Sequence, residues 1–90
     1  VVRDLALLIN KDIPVADVLH VVKKEGGRIV RNVEVFDVYT KLADDANRKS
    51  VALSIALLDE TQTLVDADIK GVMDKVISHL QAKLQAEVRS

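Results

Sequence analysis

Residues Ser50 to Leu57 alternate without a break between small and large side chains. Ser50, Ala52, Ser54 and Ala56 stand against Val51, Leu53, Ile55 and Leu57. A period of two puts the large set on one face of a β-strand and the small set on the other. A helix would scatter both sets around its surface. The strand read over Ser50 to Leu58 therefore belongs to a sheet with one packed face and one face lined by small residues. The rest of the chain must supply neighbouring strands and a layer that covers the large set.

Two helical patterns supply that layer. Val15, Val18, Leu19 and Val22 fall on one helical face. Pro14 suits the first helical position, where a missing N–H costs nothing. Lys23 and Lys24 complement the C-terminal dipole, and Gly26-Gly27 stops the helix. The second stripe is Ile69, Val72, Met73, Val76, Leu80 and Leu84, with a cap expected at Asp66 or a neighbour. Three further segments read as strands. Leu5, Leu7 and Ile9 alternate with Asp4, Ala6 and Leu8. Ile29 to Tyr39 is rich in β-branched residues, and Gln85 to Ser90 is left for a short last strand. Thr40 to Lys49 and Asp59 to Thr63 read as loops.

The order β-α-β-β-α-β is the split βαβ, ferredoxin-like pattern of an α+β fold. Right-handed crossovers place both helices on one face of a four-stranded antiparallel sheet. The other face stays open, and Ser50, Ala52, Ser54 and Ala56 should lie on it. The second strand holds a conflict of parity: Val33 and Val35 want one face, Phe36 and Val38 the other. A β-bulge near Val35-Phe36 resolves it. Phe36 and Val38 are then expected toward the helices, and Asp37 and Tyr39 on the open face.

The 90 residues suffice for one domain. Because the chain begins at Val1 rather than Met, it is read as a fragment of a larger chain. It has no Cys, which excludes a disulfide scaffold, Cys-ligated zinc and a thiol nucleophile. No apolar run is long enough for a membrane span. The formal net charge of −1 does not fit a protein that coats nucleic acid. His20 and His79 lack metal-ligand spacing, and Asp44-Asp45 reads as a solvated loop tip. No phosphate-cradling glycine loop is present, and Ser50 has no triad partners. Gly71, in mid-helix, is expected to allow close helix-to-sheet approach. No catalytic site emerges.

What remains is Phe36-Asp37-Val38-Tyr39 with Lys49-Ser50. Hairpin pairing would set Tyr39 beside Ser50. A tyrosine ring offers a stacking surface to a base. A carboxylate accepts from amino and imino N–H groups, and a hydroxyl both donates and accepts. Stacking with edge hydrogen bonds is how unpaired RNA bases are read.

Five segments occur in order: Arg3-Asp4-Leu5-Ala6, Phe36-Asp37-Val38-Tyr39, Lys49-Ser50-Val51-Ala52, Thr63-Leu64 and Glu87-Val88-Arg89. Together they resemble the ferredoxin-fold anticodon-binding domain at the C-terminus of the bacterial phenylalanyl-tRNA synthetase β subunit. The resemblance implies a cytoplasmic parent enzyme, an α₂β₂ heterotetramer with a synthetase α subunit, which attaches phenylalanine to tRNA(Phe) using ATP and Mg²⁺. It implies that this domain carries no catalytic site and no cofactor of its own, and grips the anticodon loop. Tyr39 matches the family's stacking position for the first anticodon base, and Asp37 and Ser50 match positions that contact that base. Arg3, Lys49 and Arg89 lie in matching motifs, with a backbone-contact or structural role. The alternative for Arg89 is a pair with Asp4, since the last strand is expected beside the first.

The chain departs from the family pattern at Thr40-Lys41 and Asn47-Arg48, where glycines are usual. It departs again at Val65, where a capping Thr is usual, so that Asp66 is expected to cap. Two competitors stand beside this reading. One is a ferredoxin-like regulatory or oligomerisation domain that pairs through its open face. The other, an acylphosphatase-like enzyme, lacks its phosphate loop at Asn10-Lys11-Asp12.

Overall fold

The computed structural model describes residues 1–40 and 47–89. The expectations for Asp44-Asp45 and for most of the Thr40–Lys49 loop lie outside the described residues. The elements are β1 (Val2–Asn10), α1 (Val15–Gly26), β2 (Val30–Tyr39), β3 (Arg48–Leu57), α2 (Asp66–Leu84) and β4 (Glu87–Val88), with a 3₁₀ turn at Gly27–Ile29. The order is β-α-β-β-α-β. The strands form one sheet in the spatial order β2-β3-β1-β4, and every neighbouring pair is antiparallel. This is a ferredoxin-like α+β fold. No helix is long and apolar enough to cross a membrane.

The large set of β3 does what its period demands. Val51, Leu53, Ile55 and Leu57 are buried, with Leu5, Leu7 and Ile9 of β1 beside them. Val18, Val21 and Val22 of α1 and Ile69, Val76 and Leu80 of α2 close over this face. Each such side chain contributes about 1.5–3 kcal/mol on full burial. Val15, Leu19, Val72, Met73 and Leu84, all expected in the helical stripes, pack around the margin of the core and remain partly exposed.

The helix ends differ from expectation by one residue. Pro14 is the N-cap of α1 rather than its first helical residue. Its extended backbone still lets its carbonyl accept the Asp17 N–H at 3.0 Å. At the other end Gly27 takes φ 63°, a conformation that favours glycine. A Cβ on Gly26 would overlap the Val30 side chain, so the turn into β2 closes only over a bare Cα. Val65, not Asp66, is the N-cap of α2. Valine offers no side-chain acceptor, so only half of a capping box forms: the Val65 N–H donates to Asp68 Oδ2 at 3.2 Å. Asp66 instead opens the first turn, where its charge favours the dipole. A Cβ on Gly71 would meet nothing within 4 Å, so close helix-to-sheet approach does not explain this glycine.

Across the outer surface, Glu25 of α1 joins the two helices. Its carboxylate lies 3.0 Å from His79 Nε2 and 3.3 Å from Lys83 Nζ, both on α2. Partial burial pushes its pKa up, and the Lys83 hydrogen bond with the charges of His79, Lys83 and Lys75 outweighs that, holding it below the usual value.

The bulge in β2 is present. The register runs Val35↔Leu53 and then Asp37↔Ala52, so Phe36 is the extra residue. A second shift, between Val30 and Asn32, leaves Arg31 over in the same way. Phe36 does not enter the core. It is 61% exposed. Val38, opposite Val51, does face the helix side, yet it too stays exposed. The hairpin end of β2 reaches beyond the cover the helices give.

Candidate nucleic-acid interface

Antiparallel register makes directly opposed residues share a face. On the open face one row therefore runs Tyr39, Ser50, Leu8 and Glu87, one residue from each strand. The next row begins Asp37, Ala52 and Ala6. It ends at Arg89, whose backbone N–H donates to the Ala6 carbonyl at 2.8 Å. Adjacent residues within a row lie about 5 Å apart, and the two rows about 7 Å. Tyr39, Ser50 and Asp37 thus form a compact corner at the free edge of the sheet, with Arg89 at the far end of the Asp37 row. The alanines between them keep the middle of that row flat.

Each residue of the corner is placed by a local cause. Without the bulge at Phe36, the faces of Val33 and Val35 and of Asp37 and Tyr39 could not both hold in one strand. Tyr39 is the last residue of β2 and is 53% exposed. Ser50 is half-buried between Tyr39 and Leu8. The small set of β3 sets the floor height, so nothing on β3 overhangs the tyrosine ring.

Arg3 and Lys49 fall on the other face. Arg3 opposes Ile55, and Lys49 opposes Ile9, both fully buried core residues. Arg3 lines the concavity between β1 and α2 with Ile69 and Met73. Its guanidinium donates to the Val2 carbonyl at 3.2 Å. Lys49 is only 9% exposed. Its aliphatic stem extends the core at the rim of the sheet. Of the three basic residues singled out from sequence, only Arg89 shares the face of Tyr39. No Asp4–Arg89 ion pair forms among the described residues, since Arg89 neighbours Ala6 instead.

Sequence reasoning passed over two residues of this face. Leu8 continues the Tyr39–Ser50 row and is half-buried. Arg48 reaches across β1 to Glu87, Nη1 to Oε2 at 2.8 Å, and ties β4 to the sheet. Leu8 was legible from the alternation of β1, whereas the Arg48–Glu87 pair needed the strand order. Among the described residues, the open face by register carries carboxylates at Asp4, Glu34, Asp37 and Glu87 and guanidinium groups at Arg48 and Arg89. Such a surface repels a phosphate backbone laid along it. It suits contact with a base, through a ring face and hydrogen bonds to an edge. Among the described residues no cluster of His, Asp or Glu is arranged to hold a metal ion.

A two-layer α+β domain with one bare sheet face and a single aromatic–carboxylate–hydroxyl corner is a binding module in form. Comparison with known families agrees: the model of the ferredoxin-fold anticodon binding domain matches residues 1–89, and the chain belongs to that family. Among curated proteins it is similar to the phenylalanine–tRNA ligase β subunit of Methylococcus capsulatus, with 42% identity over 87 residues. The counterparts from Listeria innocua and Clostridium acetobutylicum are 40% and 37% identical over 87 and 89 residues. These matches cover 97–99% of this chain but only 11% of each relative.

Proposed function

We propose that this domain is the anticodon-binding module of a phenylalanine–tRNA ligase β subunit and that it meets the anticodon loop of tRNA(Phe) at the Tyr39 corner. The observation that carries the reading is the register that sets Tyr39 beside Ser50 and Asp37 one row below, all on the uncovered face. Tyr39 stacks on the first anticodon base. Asp37 accepts N–H groups from the edge of that base, which favours a base presenting an imino and an amino group side by side. The Ser50 hydroxyl adds a donor or acceptor. Arg89, across the flat alanine floor, is placed for a phosphate of the same loop. Arg3 and Lys49, on the helix side, act through the fold.

The acidic balance of the face assigns most tRNA affinity to other parts of the parent enzyme and leaves this domain the reading of one base. In that enzyme, ATP and Mg²⁺ serve aminoacylation in the α subunit of an α₂β₂ assembly in the cytoplasm. None of that chemistry is carried here.

The test is steady-state aminoacylation by the parent ligase carrying Tyr39→Ala. Loss of a stacked base is worth about 1–3 kcal/mol, so kcat/KM for tRNA is expected to fall between about 5-fold and 150-fold, chiefly through KM. The kinetics for phenylalanine and ATP should not move. Unchanged tRNA use overturns the reading. A tight dimer of the domain that buries Tyr39 and Ser50, seen by sedimentation, would replace it with self-association through the sheet.

A further inference from the structure

Among the described residues, the large apolar side chains that stay exposed fall into two groups at opposite ends of the β2–β3 hairpin. Phe36, Val38 and Tyr39 form one; Val1, Val2, Leu58 and Val65, all four more than half exposed, form the other. Along β3 the two ends are Ser50, opposite Tyr39, and Ala56, opposite Val2. Six residues at about 3.3 Å put roughly 20 Å between them. The first group contains the proposed base contact. The second has no role in that contact, and clustered exposed apolar residues of this kind mark interaction surfaces.

A buried acceptor lies beside Val1 and Leu58 of the second group. A cavity of about 260 Å³ is lined by Val1, Leu57, Leu58, Asp59, Thr63 and Leu64, with Gln62 on its wall. The Asp59 side chain is only 1% exposed. Its Oδ1 accepts the Thr61 N–H at 2.9 Å and the Thr61 hydroxyl at 2.7 Å, and Arg28 Nη1 stands 3.6 Å away. Its Oδ2 is buried with no hydrogen-bond partner. The two Thr61 hydrogen bonds hold the Asp59 pKa below its usual value against burial, with the Arg28 charge assisting and the nearby Gln62 amide, which makes no hydrogen bond to Oδ2, adding least. The group is therefore an anion with one oxygen unmatched. A buried carboxylate oxygen left in that state is costly and calls for a donor.

We propose that this end of the domain docks against another domain of the longer polypeptide that carries it, and that Asp59 Oδ2 receives an N–H donor from that neighbour. The proposal rests on the ligase reading only in taking the domain to be part of a longer chain. About nine-tenths of each curated relative lies outside the matched residues, so a covalent neighbour is the occupant at hand. The chemistry of the surface agrees. An anionic acceptor among valines and leucines repels phosphate and suits a protein donor flanked by apolar side chains. The Arg31–Glu60 ion pair, 3.0 Å and exposed, supplies a polar edge to the apolar centre, as interfaces between folded surfaces have.

Thiol labelling tests this. The chain has no cysteine of its own, so Leu58→Cys and Val65→Cys place single reporters in the patch within the domain. Gln81→Cys, on the exposed side of α2, is the control. The intact parent chain is labelled with iodoacetamide, without RNA, and read peptide by peptide against the denatured protein. Both patch reporters are expected to react at least ten-fold more slowly than the control in the parent, and at the control's rate in the 90-residue chain. Equal rates in the parent overturn the proposal. Protection that already appears in the 90-residue chain and rises with its concentration also overturns it, in favour of a second copy. A parent that loses tRNA use with Tyr39→Ala yet labels freely removes the docking alone. A parent that protects both reporters but ignores Tyr39→Ala removes the base contact alone.

Discussion

The two faces of β3 are built from the same eight-residue run and do opposite work. Val51, Leu53, Ile55 and Leu57 are buried against β1 and the helices. Ser50, Ala52, Ser54 and Ala56 form a low, half-exposed floor. On the covered face size is what matters, because these side chains fill the space beneath the helices. On the bare face smallness matters, because it leaves Tyr39, Asp37 and Arg89 standing at the margins of a flat surface. Packing and the proposed base contact are thereby separated by one step in sequence, and a substitution is sorted by parity before its chemistry is considered.

That separation can be broken at chosen points. The largest effect is expected from Leu53→Ala, which empties a fully buried site between Leu5 and Val35. Urea denaturation should show a loss of about 2–5 kcal/mol. A loss below about 1 kcal/mol would mean that the helices do not seal this face. Gly71→Ala comes next, with the opposite sign. Its new methyl group meets open space, so only helix propensity changes and the domain should gain about 1 kcal/mol. A loss of stability would show that α2 lies closer to a neighbour than its exposed surface indicates. The smallest effect belongs to Phe36→Ser. An exposed residue in a bulge should cost no more than about 0.5 kcal/mol, whereas a phenylalanine in the core would cost about 3–5 kcal/mol. The same denaturation curve decides between them.

The contrast between Phe36 and Leu53 also shows where the sequence can be read and where it cannot. Leu53 is one member of an unbroken alternation, and every neighbouring residue votes for the same face. Phe36 sits where the alternation fails. The parity conflict was enough to locate a bulge and to send Asp37 and Tyr39 to the open face. It left the extra residue itself without a face, since that residue has no partner in the ladder. Hydrophobicity argued for the core, but the helices do not extend over that end of β2. Arg3 and Lys49 taught a related lesson. Their motifs allowed a backbone-contact or a structural role, and only the register sets them opposite Ile55 and Ile9 on the packed side. Asp66 lost the cap to Val65 because the helix began one residue earlier, and Asp68 supplied the hydrogen bond instead.

By itself the sequence determined the element order, the two-layer plan, the bulge and the identity of the Tyr39, Asp37 and Ser50 corner. These follow from local periodicity and from the few residues able to stack or accept. Tertiary structure alone decided how far the helices reach, and hence that Phe36 and Val38 stay exposed. It also decided that Arg48 bridges to Glu87, and that Asp59 is buried with one oxygen unmatched. Each of those outcomes depends on which remote segments lie side by side, and a one-dimensional pattern of side chains carries no measure of distance.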